Sequence, residues 1–237
     1  MDGYEMNRGY DVTSPTAAAE RVTAFLRGVY GWMAVGLGLT AAVAYVVAGS
    51  PAILGALVAN RFIFFGLMLA ELGLVVYLSA RVSRLAPSTA GLLFLTYSAM
   101  NGVTLSLILL VYTGASIANA FVTSAVMFGA LAMYGTTTAR SLAGVGQFAF
   151  MGLIGVIVAS IVGIFWQNDA LQFLIAFAGV IVFTGLTAWD AQRLKNMALQ
   201  LPGGEVGAYG IVGALSLYLD FINLFLMLLR LTGDRRS

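Results

Sequence analysis

Three acidic side chains stand inside runs of apolar residues. Asp220 lies in "SLYLDFINLFLMLLR", Asp190 in "VFTGLTAWDAQRLK" and Glu71 in "FGLMLAELGLVVYLSARV". At a membrane-helix centre an aspartate costs about 2.5–3.5 kcal/mol on insertion scales. Such residues are functional candidates by default. Asp190 and Asp220 lie on consecutive apolar segments joined by one loop, and such segments are usually spatial neighbours. Two carboxylates in a low-dielectric site cannot both ionise cheaply, and they tend to share a proton. That is the chemistry of a pH-sensitive latch. Deprotonated, the pair offers hard oxygens to Ca²⁺, bound in passing, or attracts an arginine. Arg81 and Arg84 close the segment that holds Glu71, on the same side as Asp190, and are the candidate partners.

Each acid also has a structural reading. On a helix, Asp220 shares a face with Gly213, Ser216, Asn223 and Met227, so it points into a bundle and could serve as interhelical glue. Ser216 and Asn223 on this small, polar face, with Glu71, are candidate pathway or latch residues. Asp190 has Arg193 and Lys195 within five residues, as an interfacial acid would. Glu71, Asn101 and Gln147 could each be hydrogen-bonding glue.

The elements that must position these residues follow from composition. The chain has 237 residues, 60% hydrophobic and 9% charged, where a soluble domain carries about 25% charged residues. The expectation is a single-domain, all-α polytopic membrane protein. Spans of about 20 apolar residues are predicted at 29–48, 62–80, 88–111, 117–137, 145–166, 170–190 and 211–229, the sixth free to continue as helix to Met197. If the seventh starts at Ile211, Asp220 lies about 13 Å in, at about 1.5 Å per residue. Asp190 matches that depth only if the sixth helix runs on past it. Glycines in "GLGL" (36–39), "GLIG" (152–155) and Gly163 are expected to allow close helix approach.

Residues 1–26 read as a polar cytoplasmic tail with no cleavable signal peptide, and 232–237 as a short basic tail. With the N-terminus in the cytoplasm, Arg81, Arg84, Arg140, Arg193 and Lys195 fall in internal loops on that side, against Arg61 alone on the other. Arg230, Arg235 and Arg236 are then the misfit. Either seven full spans leave a basic tail outside, which is the reading adopted, or the last segment is re-entrant.

There is no histidine and no cysteine, which removes Ser-His proteases, H-E-x-x-H zinc sites and thiol chemistry. An aspartyl intramembrane protease would resemble "YD", "GxGD" and a "PAL" motif. Here "LYL" precedes Asp220, and "QLPGG" is no such motif. A retinal protein needs a lysine in the last helix, and Lys195 is the sole lysine. The basic residues form no dense patch for nucleic acid. The expectation is no enzyme and no cofactor, with the lipid bilayer as the obligate partner.

"FTGLTAWDAQRLK" and "LSLYLDFINLFLMLLR" closely resemble the last two helices of the Bax inhibitor-1/YccA family, and "FLRGVYGWMAVGLGLTAAVAY" resembles the first helix of its bacterial members. The resemblance implies a seven-helix domain over 27–231, the last helix central and wrapped by the other six, in a bacterial inner membrane. It implies a pH-sensitive Ca²⁺ leak, with the family's aspartate pair at Asp190 and Asp220, its second-helix acid at Glu71 and a basic residue near that helix's end, nearest Arg81. Trp189 stands where tyrosine is common before the aspartate. Some bacterial relatives instead bind and modulate a membrane protease, and eukaryotic ones suppress cell death. The alternative function is therefore a non-transporting regulator of a membrane protease or other membrane partner.

Overall fold

The computed structural model describes residues 15–166, 168–200 and 206–236. Most of the polar tail, the "PGG" turn at 202–204 and the terminal Ser237 lie outside the described residues. The helices are α1 (Pro15–Ala48), α2 (Pro51–Ala59), α3 (Arg61–Arg81), α4 (Pro87–Leu105), α5 (Ile108–Val111), α6 (Gly114–Thr137), α7 (Ala143–Phe165), α8 (Asp169–Gln200) and α9 (Val206–Thr232). Seven segments are long and apolar enough to span a bilayer: α1, α3, α4 with α5, α6, α7, α8 and α9. The protein is an all-α polytopic membrane protein.

Local sequence sets most helix ends. Pro51 and Pro87 sit at the first turns of α2 and α4, where a missing N–H costs nothing. Asn60 caps α3 and Thr113 caps α6 through their side-chain oxygens. The third span kinks between Leu105 and Ile108, where the Ser106 hydroxyl donates to the Val103 carbonyl at 2.6 Å. Tyr45 and Trp166 are exposed at one end of the bundle, Tyr77 and Tyr134 at the other, as interfacial aromatics are.

Three features differ from the sequence expectation: the start of α1, the start of α9, at Val206 rather than Ile211, and the extra helix α2. α1 begins at Pro15, so residues 15–26 are helix rather than tail. Ala17, Ala18 and Ala19 are strong helix formers, and Phe25 anchors this extension by burying its ring. α2 was not foreseen, because its nine residues are too short to span.

α9 is the central helix. Of its most apolar stretch 72% is buried, against 11–39% for the other spans. It packs on α8, α1, α6 and α4. α7 packs on α8 and stands outside it, so the fifth span encloses the centre at second remove. α9 runs unbroken from Val206 to Thr232, as a full span does and a re-entrant hairpin does not. The tail then reaches the turn after the third span: Thr113 N–H donates to Asp234 O at 3.1 Å, and Arg236 N–H to Val111 O at 2.8 Å.

Candidate functional site

α8 and α9 run antiparallel, and glycines fix their register. A Cβ on Gly213 would stand 2.5 Å from Leu194 Cδ2, and one on Gly179 would stand 2.7 Å from Met227 Cγ. Between these close approaches Arg193 Nη2 donates to Ser216 Oγ at 3.2 Å. The α9 face carrying Gly213, Ser216, Asp220 and Met227 is therefore the face turned to α8. Asp190 and Asp220 meet there, 7% and 5% exposed. Asp220 feels Asp190 as a neighbouring like charge and Arg193 as an opposing one. α8 continues past Asp190 to Gln200, which supplies the depth match. Asp220 lies fourteen residues into α9, about 21 Å at about 1.5 Å per residue.

The "AWD" segment is wedged into place from outside. A Cβ on Gly135 of α6 would collide with the Ala188 carbonyl, and one on Gly146 of α7 with the Trp189 indole. The loop between α6 and α7 is clipped by Gln192, which accepts from Leu142 N–H and donates to Arg140 O, both at 2.8 Å. Lys195 Nζ donates to Thr136 O at 2.7 Å. About two turns of α8 around the aspartate, from Ala188 to Lys195, are thus held by contacts with α6, α7 and the loop between them.

The arginine at the pair is Arg193, not Arg81 or Arg84. Its Nη2 stands 3.2 Å from Asp190 Oδ1, and its Cζ lies 5.0 Å from the Trp189 ring centroid, a cation–π distance. Arg81 and Arg84 are exposed, and among the described residues neither forms an ion pair. The turn after α3 places Val82 against the core, which turns both arginines outward. The Asp190–Arg193 contact is not aligned as a hydrogen bond: Asp190 Oδ1 and Asp220 Oδ2 are buried without hydrogen-bond partners. Above Arg193 a polar cleft of about 320 Å³ opens, lined by Ser141, Trp189, Gln192 and Asn196 among others. Arg193 stands between that cleft and the aspartates.

Glu71 belongs to a separate cluster. It is 9% exposed and accepts from Thr104 Oγ1 at 2.6 Å. Beside it Asn101 Nδ2 donates to Tyr97 Oη at 3.4 Å, and the Tyr97 and Tyr218 rings meet edge-on at 5.8 Å. Tyr218 Oη and Thr40 Oγ1 share a hydrogen bond of 2.6 Å. Tyr218 is two residues from Asp220, so it leaves α9 on the other side and faces α1 and α4. Asn223 donates to its own helix, at Leu219 O, 2.8 Å. Gln147 is exposed, so the glue reading does not apply to it.

Among the described residues no three acidic side chains converge as a metal site. The two carboxylates alone cannot supply the roughly six to eight oxygens that Ca²⁺ takes.

Residues 22–237 match the family model described as inhibitor of apoptosis-promoting Bax1. The chain belongs to the Bax inhibitor-1 family. It is 48% identical over 232 residues to the inner membrane protein YbhL of Escherichia coli K12, covering 97% of this chain and 98% of that one. An uncharacterized protein of Borreliella burgdorferi is 41% identical over 215 residues, covering 90% and 93%. One of Caulobacter vibrioides is 38% identical over 249 residues, covering 98% and 99%. With its seven apolar spans, this Bax inhibitor-1 family member is an integral inner-membrane protein.

Proposed function

We propose that this protein is a pH-gated leak path for cations, Ca²⁺ first among them, closed by the Asp190–Asp220 pair. The observation behind this reading is that two facing, buried carboxylates each keep an oxygen without a hydrogen-bond partner. A lone buried charge costs several kcal/mol. One shared proton together with the Arg193 guanidinium brings the local charge to zero, so α8 and α9 can stay in contact. Loss of that proton leaves two like charges in one site. They repel, part the helices and present hard oxygens to an entering cation. Glu71 serves as a further acid on the path. The basic loop residues gather at the aspartate end, which favours the cytoplasmic face for it.

The test is Ca²⁺ flux into liposomes holding the purified protein, from pH 6 to pH 8. The leak should rise several-fold with pH in the wild type and lose its pH dependence in Asp220→Asn and Asp190→Asn. No leak above empty liposomes at any pH would overturn the proposal in favour of a non-transporting regulator.

A further inference from the structure

α1 and α6 both pack on α9, with no substantial face shared between them. In the half of the bundle away from the aspartates this leaves a groove of about 220 Å³. Its floor is the central helix itself, at Phe221 and Phe225, and its walls are apolar apart from Thr40 and Tyr45. The lips, Tyr45 on α1 and Phe121 on α6, are 78% and 46% exposed, so the groove opens sideways onto the lipid-facing surface. Its apolar lining and sideways opening fit a hydrocarbon chain.

The membrane–water end of this slot carries a second feature. Leu109 and Ile117 line the groove, and the C-terminal tail is strapped to the turn between them. Tyr112 and Arg235 form a β-bridge, Arg236 N–H holds Val111 O, and Asp234 N–H donates to Ser116 Oγ at 2.9 Å. Arg235 and Arg236 are exposed there, with Arg230 at the end of α9 and Asp234 as the accompanying acid. Among the described residues none of these arginines forms an ion pair. Guanidinium groups bind phosphate oxygens in bidentate fashion, and basic sites between membrane helices hold anionic headgroups. An apolar slot capped by fixed cations fits an amphiphile with an anionic head.

We propose that this groove binds one anionic phospholipid of the adjoining leaflet, an acyl chain lying against Phe221 and Phe225 and the phosphate at Arg235 and Arg236. Bound there, the chain completes the wall around the central helix that α1 and α6 leave open.

The experiment is native mass spectrometry of the full chain in detergent. It is titrated with phosphatidylglycerol, with phosphatidylcholine of the same acyl chains, and with chain-free glycerophosphoglycerol. Phosphatidylglycerol is expected as a one-to-one adduct at several-fold lower concentration than phosphatidylcholine, with no adduct of the chain-free head. Arg235→Gln with Arg236→Gln should bring phosphatidylglycerol to the phosphatidylcholine level. Ala41→Trp, which fills the slot from an exposed lip, should weaken both lipids. Leu109→Trp fills it from another wall should the first variant fail to fold. Equal binding of the two lipids by the wild type, a preference that survives the double arginine change, or wild-type adducts in a folded slot-filled variant would each overturn the proposal.

Discussion

Arg193 lies 3.2 Å from Asp190 on its own helix and directs its hydrogen bond to Ser216 on the next. One side chain therefore joins the two helices that carry the aspartates, and its head lies over Trp189 on the way out to the polar cleft. The arginine is 42% exposed, so its contact with Asp190 is screened and the ion pair alone contributes little. Its importance lies in balancing the charge of the pair from where it stands. It covers the carboxylates.

Removing that cover separates stability from gating. Arg193→Gln should leave the melting temperature within a few degrees of wild type, because an exposed pair is worth roughly 0–1 kcal/mol. If the proposed latch is shut at pH 6 in the wild type, the change should raise the leak there several-fold. Arg193→Lys keeps the charge but loses the planar fork, and should fall between the two. The liposome flux assay reads all three. An unchanged leak in Arg193→Gln would remove the arginine from the gate.

Glycine positions give a stability prediction with an internal control. Gly135→Ala drives a methyl into the Ala188 carbonyl, and overpacking of this kind costs about 1–3 kcal/mol. Gly129, six residues earlier on the same helix, has nothing within 4 Å of a Cβ. Gly129→Ala should instead stabilise by up to about 1 kcal/mol through helix propensity. Thermal unfolding in detergent should move in opposite directions for the two. A shared direction would mean that the α6–α8 contact is not as tight as described.

Orientation can be read with a thiol probe, because the chain has no cysteine of its own. Ala139→Cys lies in the loop at the aspartate end, and Ala115→Cys lies near the turn that holds the tail. In intact spheroplasts a membrane-impermeant maleimide should label the second and spare the first until the membrane is opened. The reverse pattern would place the aspartates at the outer face.

Much of this architecture was legible in the sequence, because its signals are one-dimensional. Long apolar runs bounded by Pro, Gly and charge gave the seven spans. The period of α9 puts Gly213, Ser216, Asp220, Asn223 and Met227 on one face; Gly213, Ser216 and Met227 meet α8, while Asn223 bonds its own helix. Other features depend on neighbours remote in the chain. Arg193 was visible beside Asp190 but read as an ordinary interfacial charge, since nothing local says that a side chain will cross to Ser216. Arg81 and Arg84 lie on the side predicted for Asp190, yet Val82 between them packs on the core and both arginines are exposed. Gly36, Gly152 and Gly163 are close-approach sites as expected, while Gly38 and Gly155 meet nothing. Gly135 and Gly146, which locate Asp190, carry no local mark that separates them from the others. The Tyr218–Thr40 bond links residues 178 positions apart, beyond any spacing rule.

The central place of α9 also sets an order of assembly. Chains are made from the N-terminus, so the helix on which α1, α4, α6 and α8 pack is synthesised after all of them. Until it enters the membrane, those four have each other and lipid but not their common surface. The bundle closes in a late step, and that same step brings Asp220 to Asp190. A chain stopped before α9 lacks the surface on which α1, α4, α6 and α8 pack, and never brings the two aspartates together.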